Sequence, residues 1–206
     1  MADFNDILPS GVDIRAIEFT SNQPTVRTQS ISGRTQVRSF GGQLWSATIT
    51  MQSMTENSLR KIYGFLIKQR GGRNTFTIAP KNLQNVGNGT ITASTTEDIK
   101  ATTSSAQKLV GSTSVEMTNQ NKFFAGDIIK FSGPSGHTKA YMITADQGLD
   151  DTIFFEPGLT TAITDSHNVL SGSNFELTVR LLNDDFTYTL DETGIGEIEF
   201  DVVEAI

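Results

Sequence analysis

The segments Leu44–Met51 (LWSATITM) and Ile195–Val203 (IGEIEFDVV) alternate apolar and polar residues at a period of two. Successive side chains of an extended strand point to opposite faces, so each segment satisfies its pattern only between a core and water. In the first, Trp45, Ala47, Ile49 and Met51 share one face. In the second, Ile198, Phe200 and Val202 oppose Glu197, Glu199 and Asp201. The two segments stand far apart in a chain of 206 residues. A chain that begins in strands, is interrupted and ends in strands of the same style implies a discontinuous domain.

The N-terminal part reads as a meander. A strand is expected over Val12–Thr20, with Ile14, Ala16 and Glu18 alternating against Arg15, Ile17 and Phe19. Strands over Thr25–Ile31, Arg34–Phe40 and Gln43–Met51 follow, joined by Ser32-Gly33 and Gly41-Gly42 as hairpin turns. A helix comes next. Ser53 and Glu56 have the spacing of a capping box. Leu59, Ile62, Tyr63, Leu66 and Ile67 then form one apolar stripe. Lys68 and Arg70 suit the helix C-terminus, and Gly71-Gly72 supplies a left-handed stop. Thr75–Ala79 returns as a strand ending at Pro80.

From residue 83 to 121 the chain turns rich in Thr, Ser, Asn and Gly, the edge of an inserted module. Leu109–Met117, two apolar bursts within Phe123–Phe131, Ala140–Thr144 and Thr152–Phe155 read as short strands, suggesting a small barrel or sandwich. Phe175–Leu182, Phe186–Leu190 and Ile195–Val203 close the chain as a second meander. The expected organisation is a mainly β fold with one main α-helix. One discontinuous strand domain spans 1–82 and 170–206, interrupted at 83–169 by the small barrel or sandwich.

Charge is divided along the chain. Residues 1–82 hold 10 Lys/Arg and 5 Asp/Glu, residues 83–206 hold 6 and 18, and the whole carries −7. Residues 174–206 set nine acids against Arg180 alone. A polarised chain can stack head to tail on its own copies; solvated surfaces of unequal charge are the plainer reading. The start MADFNDILPSG lacks the basic and apolar regions of a secretory signal, and no apolar run approaches the roughly 20 residues that span a bilayer. A soluble chain without membrane association is expected.

Catalytic chemistry finds little footing. With no cysteine there is neither disulfide nor thiolate. His137 and His167 stand in polar turns with no ligand-spaced acid, and read as surface residues. No G-x-S-x-G elbow or phosphate-binding G-x-x-x-x-G-K-[ST] loop occurs, and Gly133–Lys139 matches the latter in composition alone. Asp146–Asp151 lacks the alternating ligands of a calcium loop. Asn88-Gly89-Thr90 is a glycosylation sequon without a secretory context. The expectation is a protein that is not an enzyme and carries no cofactor or metal.

Arg27, Arg34 and Arg38 could contact phosphate, but a nucleic-acid binder accumulates several basic contacts and exposes aromatic platforms. Trp45 shares the core-facing side of its strand, so it reads as a packed residue directed toward the helix. The arginines can equally serve as intersubunit contacts, paired with acids of a neighbouring copy, and the acidic C-terminal segment supplies candidates.

The order of parts resembles bacteriophage distal tail proteins. It is carried by the arginine-bearing hairpin, the G-G-x-x-W strand, the single helix and the return R-G-G-R-N-T-F-T-I-A-P. The insert, with F-A-G-D-I-I-K-F, A-Y-M-I-T and I-F-F-E-P-G-L, resembles the OB-like barrel domain of siphophage members. The closing F-E-L-T-V-R-L-L and E-I-E-F-D-V-V match the return to the first domain. The resemblance implies a ring-forming β-sandwich over 1–82 and 170–206 and an inserted OB-like β-barrel over 83–169. The resemblance implies a structural virion protein in the phage tail, assembled in the host cytoplasm. It implies a ring, usually hexameric, joining the tail tube protein to the baseplate hub or tail-tip protein, with side fibres as further partners and DNA passing through the channel. The Glu197, Glu199 and Asp201 face could then line that channel. Competing readings are a tube subunit, a tube initiator or a connector. From a different class comes a carbohydrate- or nucleic-acid-binding module acting through the barrel.

Overall fold

The computed structural model describes residues 6–7, 14–39, 41–79, 95–98, 108–118, 123–132, 137–147, 152–164 and 166–206. The first strands are β1 (Asp6–Ile7), β2 (Ile14–Asn22), β3 (Thr25–Gln29), β4 (Thr35–Ser39), β5 (Leu44–Met51) and β6 (Met54–Thr55). Helix α1 (Glu56–Lys68) and β7 (Phe76–Ile78) follow. A second group comprises β8 (Thr95–Asp98), β9 (Ser114–Glu116), β10 (Ile128–Ser132), β11 (Ala140–Ile143), β12 (Thr152–Glu156) and β13 (Asn168–Ser171). The chain ends in β14 (Leu177–Leu181), β15 (Tyr188–Leu190) and β16 (Ile195–Glu204). Among the described residues the protein is mainly β, with one α-helix and several antiparallel sheets.

The large sheet has eight strands in the order β1-β7-β14-β16-β5-β2, with β15 and β6 also paired to β16. Its centre is the pair that the alternating segments form, Val202 opposite Ala47 and Phe200 opposite Ile49. Their shared inner face is buried while Glu197 and Glu199 stay exposed, as the period-two pattern requires. A fully buried Ile or Phe contributes about 1.5–3 kcal/mol, so this row anchors the sheet. The six-stranded sheet runs β8-β13-β10-β11-β12-β9, with its own core around Phe131, Tyr141 and Phe155. All four residues of β13 pair within it, so the boundary expected at 169/170 falls inside a strand. No closed barrel is found among the described residues.

Three local expectations are corrected. The N-terminal strands are not a simple meander. β2 pairs with β5 from Ile14–Met51 to Asn22–Leu44, and β3 pairs with β4 as a separate ribbon beyond that ladder. Gly41 and Gly42, both at positive φ (69° and 70°), therefore lead from the ribbon back to the sheet and make no hairpin turn of their own. Within β2 a bulge between Ile14 and Ala16 turns Ile14 onto the same side as the half-buried Ile17 and Phe19. Simple alternation had placed Ile14 on the opposite face.

The helix also begins later than expected. Thr55 occupies the N-cap position without a side-chain hydrogen bond, and the Glu56 N–H donates to the Gly194 carbonyl. Ser53 instead donates to Glu197 (2.5 Å), so no capping box forms. Leu59, Ile62 and Leu66 are buried as the stripe requires, but Phe65 joins them and Ile67 is exposed. Phe65 meets Phe76 edge-on at 5.3 Å, which turns the buried side of the helix toward β7. The left-handed stop is shared, with Arg70 at φ 55° and Gly71 at φ 64°. The expectations for 88–90 lie outside the described residues, as do parts of those for 83–121, 133–139 and 146–151.

Close approach at Gly196 fixes how α1 sits on the sheet. A Cβ there would collide with the Thr189 carbonyl and come within 3.1 Å of Leu59 Cδ2. Gly196→Ala is expected to cost about 1–3 kcal/mol, because backbone on one side cannot move aside. The shift of the urea midpoint checks this, and an unchanged midpoint would show that β15 and α1 separate freely.

Candidate functional site

Three features outside the cores could carry function: a basic ribbon, an acidic sheet face, and the junction between the two sheets.

The ribbon β3–β4 is held by five cross-strand pairs from Thr25–Ser39 to Gln29–Thr35. Its tip closes through the Gly33 N–H on the Ser30 carbonyl (2.9 Å), with Gly33 at φ 78°. Every residue of both strands is exposed, including Val26 and Val37, and Ile31 at the tip is fully exposed. Arg27, Arg34 and Arg38 all lie on this ribbon, which holds no acid between residues 25 and 39. It is a basic arm with apolar side chains facing water.

Glu197, Glu199 and Asp201 lie on the outer face of the large sheet, and each is engaged within it. Glu197 accepts from Arg15 (3.3 Å) and from Ser53, Glu199 from Thr50 (3.0 Å), and Asp201 from Thr48 (2.6 Å) and Asn183 (2.8 Å). Glu18, opposite Thr48, adds a further acid to the row. The sequence-derived basic and acidic residues thus occupy different elements, the arginines the ribbon and the acids the outer face of β16.

The junction was not foreseen from the sequence. The β16–β5 ladder ends at the Val203–Ser46 pair, and beyond it the Glu204 carboxylate accepts the Trp45 N–H (3.2 Å). Its other oxygen accepts the Ala140 N–H (2.6 Å) from β11 of the second sheet. Lys139, 1% exposed, forms an ion pair with Glu204 and donates to the Gln43 carbonyl (2.8 Å) and to Gln43 Oε1 (2.7 Å). All three ammonium protons are therefore used. Burial pushes Lys139 below its ordinary range, opposed by the Glu204 carboxylate that holds the charge in place. The Trp45 indole N–H donates to the Ala140 carbonyl (2.9 Å), and its ring stacks on Phe19 at 4.7 Å. Trp45 is a core residue as expected, but it faces the second sheet and not the helix.

The histidines are not surface residues. His137 and His167 are 6% and 4% exposed, with rings 5.2 Å apart, and His137 also meets Phe131 edge-on. Thr164 fixes His167 by donating its N–H to Nδ1 (3.1 Å). Burial first, then His167 and Lys130, depress the pKa of His137, with the Ala162 carbonyl opposing. Polar neighbours in sequence concealed this, because what buries the rings lies beyond those neighbours in the chain: they pack on each other, and His137 on Phe131 of the second core. Among the described residues no group of three or more His, Asp or Glu is placed to hold a metal ion, and no helix is long and apolar enough to cross a membrane.

The sequence matches no protein-family model and no curated protein.

Two outcomes follow from the buried charges. Lys139→Met strands the Glu204 charge and Glu204→Gln strands the ammonium, so each should cost about 3–5 kcal/mol in denaturant unfolding. The double variant should recover part of that loss, since no lone charge remains buried; additive losses would show that the pair does not couple. The second outcome concerns acid. The native pKa of His137 lies below its ordinary 6.5, so the native state binds fewer protons than the unfolded chain. Its stability contribution is complete above that ordinary value and is lost as pH falls toward the native one. Stability followed from about pH 7 to 5 should decline, and His137→Phe should flatten the decline. An unchanged slope in the variant would place the acid sensitivity elsewhere.

Proposed function

We propose that the chain is a self-assembling structural protein, a ring subunit at the distal end of a bacteriophage tail. The observation that carries this reading is the arm β3–β4. A two-stranded ribbon alone in water is marginally stable, and its open edges invite pairing with another chain. This one exposes apolar side chains together with three arginines, and gains a stable environment by docking on a copy. The acid-bearing outer face of the large sheet, with Glu18, Glu197, Glu199 and Asp201, offers the complementary charge. A basic arm and an acidic face at different places on one chain make a heterologous contact, the kind that closes into rings.

In this reading the chain up to residue 82 and beyond β13 builds a hexameric ring around the channel that DNA traverses. The part between, with β8 to β13, forms the outward OB-like appendage. The tail tube protein and the baseplate hub or tail-tip protein stack on the ring's two faces, and the protein resides in the virion. Acidic side chains left uncovered on the channel wall would keep passing DNA from adhering. The order of strands and the helix among the described residues is compatible with this assignment.

Light scattering after size exclusion, combined with negative-stain images, tests the proposal. The wild-type chain should give closed rings of one size, weakened by high salt. The variant Arg27→Glu, Arg34→Glu, Arg38→Glu should run as a monomer with an unchanged circular dichroism spectrum. A wild type that stays monomeric at high concentration, or assembly that survives the triple reversal, counts against the arm as the assembly element. Long stacked tubes would favour the tube-subunit reading.

A further inference from the structure

Where the arm leaves the large sheet, the junction forms two adjoining open cavities of about 530 and 470 Å³, which share Gln23, Gln43, Glu156 and Pro157. Each is within the size range of ligand sites, which concentrate at junctions between folded units. We infer that this cleft binds a segment of neutral oligosaccharide.

The chemistry of the lining selects that class. Phe19, half-buried, lines the second cavity as its aromatic surface, and the buried Trp45 backs it in a near-parallel stack, with ring planes 14° apart. Ser21, Gln23, Thr144 and Glu156 set hydroxyl, amide and carboxylate groups around the same space. A pyranose presents a C–H face and a rim of hydroxyls, and so matches an aromatic surface framed by such groups. Among the described residues no Lys or Arg lines either cavity, and Glu156 lines both, which disfavours phosphodiesters and other anions. A purely apolar side chain would leave the polar groups desolvated without partners, at a cost that sugar hydroxyls avoid.

The site is also held in shape. The Trp45 indole is tied to Ala140, and Gln43 is tied on one side to Ser21 (2.8 Å) and on the other to Lys139. Rigid walls reduce the ordering cost that weakens binding to shallow clefts. The contact requires no ring, so it can be tested independently of assembly.

The test uses the full chain with maltohexaose, cellohexaose and chitohexaose, followed by calorimetry and saturation-transfer NMR, and oligothymidylate as the anionic comparison. At least one hexasaccharide should bind and oligothymidylate should not. Gln23→Ala and Glu156→Ala, both at exposed positions, should each weaken binding about fivefold, the worth of one hydrogen bond. Absence of binding by all three sugars, equal affinity in the variants, or preference for oligothymidylate overturns the inference. None of these results bears on ring formation.

Discussion

The buried ion pair between Lys139 and Glu204 is the constraint on which the relation of the two sheets depends. Desolvating two charges is expensive, and the low dielectric that strengthens their attraction makes any misplacement costly. Here the ammonium has three acceptors, and the carboxylate takes backbone N–H groups from both sheets. Apolar contact alone would let the second sheet slide on the first. The hydrogen-bonded pair admits one arrangement, and that arrangement places Phe19, Trp45 and Glu156 around a common cleft.

The large sheet divides its inner face between two covers. Helix α1 lies over the end near Met51, Phe76 and Ile198, while Ile128, Ala140 and Met142 of the second sheet join the same core. This explains why one helix suffices for so broad a sheet. The arm stays exposed because β3–β4 continues past the β2–β5 ladder, which ends at Asn22 and Leu44, and no residue of either strand is buried. The arm is a ribbon whose own contacts do not stabilise it well, the opposite of the buried joint a few residues away. Assembly through the arm and stiffness at the joint are complementary, since a docked arm transmits position only if its base is rigid.

Legibility followed the range of the interaction. Trp45, Ala47, Ile49 and Met51 were readable as core because strand periodicity is local and burial obeys it. So were Ile198, Phe200 and Val202 against their acids. The helix was readable from its stripe, yet its start and rotation were not. Ser53 found a stronger partner in Glu197, a residue remote in sequence, and Phe65 was drawn in by Phe76. The bulge at Ile14 reversed a face assignment that alternation made plausible. His137 and His167 looked like turn residues because a polar neighbourhood in sequence says nothing about what folds over it. Lys139 gave no signal at all, since a lysine before an apolar strand is ordinarily solvated.

By itself the sequence determined that the chain is mainly β, which strands face a core, where the helix runs, and that the arginines and acids are segregated. Each follows from backbone periodicity or from counting charge, and needs no partner at a distance. Only the tertiary structure decided that β2 to β5 form one ladder with an arm beyond it, that two histidines are buried, and that a lysine and a glutamate lock the sheets together. Those outcomes depend on groups meeting across long stretches of chain, where desolvation and hydrogen-bond geometry outweigh local preference.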